Sequence, residues 1–163
     1  MGGCFAFRRQ RGGPEDEPDS MSILIFANGD LQPGKWIEPY LDKATLVIAA
    51  NGGLKHVLAL KLRPDILIGD LDSANEELQR QARMAGAAIL EHPADKDETD
   101  LELALNYAVE KHPAEIFILA AFGGRLDQML GNVQLLAHAR LANRSVKLVD
   151  ARQSAWLEIG RAH

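Results

Sequence analysis

Three short runs concentrate the chemistry of this sequence: Gly69-Asp70-Leu71-Asp72-Ser73, Lys96-Asp97-Glu98-Thr99-Asp100 and Gly123-Gly124-Arg125-Leu126-Asp127. Carboxylates crowded together repel one another, and a bound cation offsets that repulsion. The candidate donors are all oxygens, which suits Mg²⁺ or Mn²⁺ rather than zinc. Mg²⁺ takes one or two carboxylates and completes its shell with water and phosphate oxygens, so Asp70, Asp72 and Asp100 are the expected ligands. Alone, Asp70-Leu71-Asp72 is a weak signal, because Asp72-Ser73 could simply cap a helix. The second acidic run and two cations, Lys96 and Arg125, strengthen it. An Arg following two glycines at a helix start suits phosphate: Gly123 and Gly124 permit close backbone approach, and the helix end offers N–H groups. The competing reading of Arg125 is an ion pair with Asp127. Acidic metal ligands beside phosphate-binding cations point to phosphoryl or nucleotidyl transfer.

The elements that must position these runs follow from hydrophobic periodicity. Short apolar, often β-branched runs at 23–27, 45–49, 65–68, 88–91, 115–120 and 145–149 read as strands, with helical segments between them. The clearest helical pattern is 126–141, with Leu126, Met129, Leu130, Val133, Leu136, Ala137 and Leu141 on one face. Capping boxes open two helices, Ser73 with Glu76 and Thr99 with Glu102. The strands are too apolar to face water. The expected fold class is therefore α/β, a doubly wound, mostly parallel sheet of about six strands with helices on both faces. In such sheets ligands bind beyond the carboxyl ends of the strands. The helix-to-strand turns, such as Leu62-Arg63-Pro64 and Ala85-Gly86-Ala87, carry plain turn chemistry. The strand-to-helix turns instead carry glycines, amides and aspartates: Asn28-Gly29-Asp30, Asn51-Gly52-Gly53 and the three runs above. This asymmetry places the site at one edge.

In this order and at these junctions, the three runs, extended by Gln128 and Asn132, resemble the thiamine pyrophosphokinase (thiamine diphosphokinase) family over residues 23–159. The resemblance implies transfer of the pyrophosphoryl group of ATP to the hydroxyethyl oxygen of thiamine by a Mg²⁺-dependent homodimer. It also implies a C-terminal β-sandwich and thiamine held between subunits. By position, Asp70, Asp72 and Asp100 match metal and catalytic carboxylates, and Lys96 and Arg125 match phosphate contacts. Thr99, Gly123 and Gly124 fall in the same nucleotide-side runs. Asp127, Gln128 and Asn132 match pocket residues, and Asn28, Asn51, Gly52 and Gly53 match nucleotide-side loops. The sequence departs from the family pattern by carrying Asn51-Gly52-Gly53 where Asp-Gly-Gly is usual, and by extending little beyond the α/β domain. Two alternatives accompany this reading: a pyrophosphokinase acting on a pterin alcohol, and a nucleotide-binding fragment without turnover.

Composition bounds the rest. The 163 residues carry a net charge of −5, so the chain is not a polycation for nucleic acid or anionic membrane. Its apolar stretches are far shorter than the roughly 20 residues of a membrane span. One cysteine, Cys4, excludes an intramolecular disulfide and fits a reducing, cytoplasmic setting. Residues 1–20, rich in Gly, Pro and charge, read as a disordered extension, with Met21 as a candidate start. Gly2 and Cys4 hint at acylation, but Ala6 stands where a myristoylation site wants Ser or Thr. Residues 21–150 read as an ATP- and Mg²⁺-binding catalytic domain. Residues 151–163 read as the start of a truncated thiamine-binding β domain, with an apolar strand at 155–159 that would project without partners. Gly29-Asp30-Leu31-Gln32-Pro33-Gly34-Lys35 mimics a P-loop, but Trp36 supplies no hydroxyl and Pro33 removes an N–H, so a turn before a short helix is expected. His138 reads as solvated helix surface.

Overall fold

The computed structural model describes residues 3–9, 21–71, 76–93, 95, 97–138, 141 and 143–159. Its strands are β1 (Gly3–Arg9), β2 (Ser22–Phe26), β3 (Ala44–Ala50), β4 (Ile66–Gly69), β5 (Ala88–Glu91), β6 (Glu115–Leu119), β7 (Val146–Val149) and β8 (Gln153–Ile159). The helices are α1 (Glu38–Lys43), α2 (Leu54–Ala59), α3 (Glu76–Met84), α4 (Asp100–Lys111) and α5 (Leu126–Leu135). All eight strands join one sheet in the order β1-β8-β7-β6-β2-β3-β4-β5. Strands β2 to β7 run parallel, whereas β8 lies antiparallel between β7 and β1.

The central parallel strands β2, β4 and β6 are buried on both faces, and the period of two sorts their side chains into two cores. Ile23, Ile25, Ile48, Ile66, Ile68, Ile116 and Ile118 face one side, where Leu101, Ala104, Leu105 and Ala108 of α4 meet them. Leu24, Phe26, Leu67, Phe117 and Leu119 face the other, against Ile37, Tyr40, Leu54 and Val57. The α4 contacts recur at i, i+3, i+4 and i+7, the stripe an amphipathic helix presents to a sheet. One half of its expected capping box forms at the N-terminus, where the Glu102 N–H donates to Thr99 Oγ1 at 3.1 Å. The other expected box, at Ser73, lies outside the described residues.

Three expectations are corrected. Residues 3–9, expected within a disordered extension, form a strand whose Phe5 and Phe7 stand opposite Leu157 and Ala155. The strand at 155–159, expected to project unpaired, begins at Gln153 and has a partner on each side; the six expected strands are β2 to β7, and β8 and β1 bring the sheet to eight. The helix expected over 126–141 stops at Leu135, and its apolar residues do not share one face: Leu126 and Leu130 are exposed, whereas Met129 and Val133 pack on the core. The P-loop-like run behaves as a turn followed by short helical segments at Lys35–Ile37 and Glu38–Lys43. Among the described residues, no helix is long and apolar enough to cross a membrane.

Candidate active site

Strand order reverses at β2, which sends the chain outward through β3, β4 and β5, while β6 returns on its other side. The gap beyond the carboxyl ends of β2 and β6 is the switch point where open α/β sheets bind ligands. Backbone hydrogen bonds pin its two walls together: Ala27 N–H to Leu119 O at 2.9 Å, Gly29 N–H to Ala120 O at 2.7 Å and Asp30 N–H to Phe122 O at 3.0 Å. A cavity of about 480 Å³ opens there, between the starts of α4 and α5. Of the expected residues, Asn28, Asn51, Thr99, Asp100, Gly123, Asp127, Gln128 and Asn132 line it.

The carboxylates are gathered by one amide. Asn51 Nδ2 donates to Asp70 Oδ1 at 2.9 Å and to Asp100 Oδ2 at 3.0 Å, so the ends of β3 and β4 and the start of α4 meet at one nitrogen. Backbone strain accompanies the convergence: Asn51, Leu71 and Ala120, each following a strand, have φ of 43°, 60° and 57°. Such left-handed conformations cost L-residues free energy and persist where surroundings over-determine them. Leu71 is held by burial of its side chain and by the Gln79 amide of α3, which donates to its carbonyl at 2.8 Å. Among the described residues no group of three or more His, Cys, Asp or Glu is placed around a common metal position. Asp70 and Asp100 are the pair that converges, and the expected third ligand, Asp72, lies outside the described residues, as does Lys96. Two carboxylates with open positions for water and phosphate oxygens fit Mg²⁺ as a donor set.

The glycines have distinct roles. A Cβ on Gly53 would lie 1.9 Å from Phe26 O, and one on Gly52 would lie 2.4 Å from Asn28 Oδ1. These two glycines therefore let the turn after β3 press against the end of β2. Gly123 has φ of 83°, and a Cβ there would meet the Asp30 carboxylate at 2.3 Å. Gly124 and Arg125 do not line the cavity. Arg125 instead forks onto Asp127, Nε to Oδ1 at 3.1 Å and a terminal N–H to Oδ2 at 2.6 Å. That pair is exposed, and the guanidinium holds the Asp127 carboxyl below its usual range. Asn132 Nδ2 donates to Ala121 O at 2.9 Å, which ties α5 to the end of β6.

Sequence reasoning missed Glu102, Gly131, Gln134, Leu135 and His138, all of which line the cavity. Gln128, Gly131, Asn132 and Leu135 share the i, i+3, i+4, i+7 spacing, so the cavity-facing stripe of α5 was available from two of its members. His138, expected on solvated surface, is corrected: it is partly buried across the cleft from α4, its Nε2 3.7 Å from Glu102 Oε1. His56 of α2 bonds Gly29 O through Nε2 at 2.8 Å and braces the first turn of the site; burial lowers its pKa from the ordinary value.

Fold and site together define a class: a parallel α/β domain whose acidic, glycine-lined crevice lies at the switch point of the sheet. Comparison with known proteins supplies the family. Residues 37–149 match the family described as thiamin pyrophosphokinase, catalytic domain, and the chain belongs to that family. The thiamine pyrophosphokinase of Bacillus subtilis is 40% identical over 129 residues, covering 79% of this chain and 60% of that protein. The crystal structure of a Bacillus subtilis thiamine pyrophosphokinase aligns with a TM-score of 0.67 at 36% identity, over 80% of this chain and 61% of that one. That of Geobacillus thermodenitrificans thiamin pyrophosphokinase aligns with a TM-score of 0.65 at 33% identity, over 80% and 60%. The chain thus spans about three-fifths of the length of these relatives.

Proposed function

We propose that this chain supplies the catalytic α/β part of an enzyme that transfers the pyrophosphoryl group of ATP to thiamine, giving thiamine diphosphate and AMP. The observation that carries the reading is the convergence of Asp70 and Asp100 on the Asn51 amide, with Asn51 and Asp100 lining the switch-point cavity. Family membership favours thiamine over a pterin alcohol as acceptor. In the proposed reaction the thiamine hydroxyl oxygen bonds to the β-phosphorus and gives up its proton to solvent, the bond from that phosphorus to the α–β bridging oxygen breaks, and AMP leaves with the bridging oxygen. Bound Mg²⁺ would neutralise phosphate charge and orient the chain of phosphates. Asp70 and Asp100 would hold that ion, joined by Asp72.

The remaining residues bind and orient. At the N-terminus of α5 Asp127 Oδ1 accepts from the Gln128 N–H at 3.0 Å as well as from Arg125, so a phosphate that displaces the Asp127 carboxylate would gain both that N–H and the Arg125 fork. For Arg125 the exchange of Asp127 for phosphate costs little because the pair is exposed. Gln128 and Asn132 shape the cavity wall against the nucleotide. The reading extends to a homodimer, which the family resemblance implies, in the cytoplasm, which the single cysteine fits; Leu126 with Leu130, one turn apart and exposed, gives α5 an outward apolar face. The test is thiamine-dependent AMP release from Mg-ATP. AMP formed with thiamine and absent without it supports the reading, whereas ATP binding with no AMP release favours a nucleotide-binding chain without turnover.

A further inference from the structure

Asn51 sits where the metal reading would place a cation. A single nitrogen, Nδ2, serves both Asp70 Oδ1 and Asp100 Oδ2, at 2.9 and 3.0 Å. The backbone directs it there: φ of 43° at Asn51 is a conformation that Asn tolerates better than most L-residues. Gly69 leaves the room, since a Cβ on it would lie 2.8 Å from Asn51 Cβ and 3.2 Å from Asp100 Oδ1.

An amide NH₂ between two carboxylates does part of what a cation does. It gives each a charge-assisted hydrogen bond and offsets some of their repulsion, without a full positive charge. Both N–H bonds point at oxygens that a divalent ion would ligate, so the amide and the ion compete for the same lone pairs. We propose that Asn51 is a displaceable clamp that holds Asp70 and Asp100 in position while no divalent cation is bound and withdraws its Nδ2 when one binds. The clamp rests on the Mg²⁺ reading above. It makes Asn51 a positioning residue that stabilises the metal-free chain and weakens its hold on the metal. An Asp at this position would do the reverse, adding a ligand and removing the donor.

Mn²⁺ binding to the whole chain tests this without nucleotide or turnover, by the electron paramagnetic resonance of free Mn²⁺, with thermal melts in EDTA and in saturating Mn²⁺. Asn51→Gly removes the clamp without backbone strain, because Gly is at ease at positive φ. It should bind Mn²⁺ at least about tenfold tighter than the wild type, as loss of both competing charge-assisted bonds implies, and melt lower in EDTA. Asn51→Asp should bind Mn²⁺ tighter as well, melt lower in EDTA and recover in Mn²⁺. Equal Mn²⁺ affinity in the wild type and Asn51→Gly overturns the clamp. Weaker binding by Asn51→Gly also overturns it, because Asn51 would then be a ligand through Oδ1. If Asn51→Gly does not fold, Asn51→Asp decides, and affinity no tighter than wild type overturns the proposal. A wild-type chain that binds no Mn²⁺, or binds it no better than Asp100→Asn, overturns the metal reading and the clamp with it. A clamp that fails while Asp100→Asn abolishes Mn²⁺ binding leaves the metal reading standing.

Discussion

Asp100→Asn keeps the shape of a half-buried side chain and removes the charge that a hard dication needs. The folded variant should lose about 10²–10³ in turnover, the cost of about 2.7–4 kcal/mol typical for one lost electrostatic contact. AMP release reads this directly, and near-normal release from a folded variant contradicts the ligand assignment. Arg125 calls for a different experiment, because its fork is engaged by Asp127. An exposed pair contributes little to stability, so Arg125→Lys should leave the melting temperature unchanged. The same substitution removes the planar fork and should weaken ATP binding. A fall in melting temperature with ATP affinity intact would make the pair structural. His56 adds a dependence on pH. Burial lowers its pKa from the ordinary 6.5, so the unfolded chain takes up a proton in a range where the folded chain resists it. Stability attributable to His56 is therefore full above about pH 6.5 and is lost as pH falls toward the folded value. Melts between pH 7 and 5 should show that slope, and His56→Gln should flatten it.

Two glycines separate the tasks of the elements around the site. Gly53 lies where the turn after β3 presses on β2, and a methyl there meets the Phe26 carbonyl, which cannot step aside. Gly53→Ala should cost about 3 kcal/mol or more in denaturant unfolding, the upper range for an overpacked site. Gly131 sits inside α5 with open space around its missing Cβ and faces the cavity. Gly131→Ala should stabilise the fold by about 1 kcal/mol through helix propensity while its methyl weakens ATP binding. Stability and binding moving in the same direction would remove Gly131 from the cavity wall. These elements were legible in the sequence to different depths. Strands β2, β4, β6 and β7 show as apolar runs because both faces are largely buried, and α4 shows because Thr99 caps it and Leu101, Ala104, Leu105 and Ala108 keep one stripe. Strand β1 was hidden, since Gly3–Arg9 adjoins a Gly-, Pro- and charge-rich run and becomes a strand through its partner β8. Periodicity found the apolar residues of α5 but could not separate Met129 and Val133, which pack inward, from Leu126 and Leu130, which do not. Asp70 and Asp100 were legible as types at junctions. The Asn51 bridge was not, because it depends on three turns meeting in space.

At the scale of the whole sheet, the site and the strand β1 stand apart. The cavity lies at the gap between β6 and β2, and β7 and β8 separate β1 from it. Strand β1 leaves Phe7 60% exposed, so little apolar burial depends on it. Its contribution is to cover β8, whose outer edge would otherwise present unpaired N–H and C=O groups. Strand β8 is a poor candidate for fraying in that event, because Ala155 is buried and Leu157 packs on the α4–α5 core. It would remain in place with an open edge, the arrangement that recruits another chain. A chain beginning at Met21 should therefore fold, lose about 1–2 kcal/mol of stability from the missing cross-strand pairs, and self-associate as concentration rises. Its affinity for Mg-ATP should stay within about twofold of the whole chain, since additivity holds for distant, independent parts of a fold. Light scattering across a concentration series reads the association, and ATP titration reads the site. A truncated chain that associates no more than the whole one would show that β1 does not protect the edge. Loss of ATP affinity in a folded, truncated chain would show that the sheet couples its far edge to the switch point.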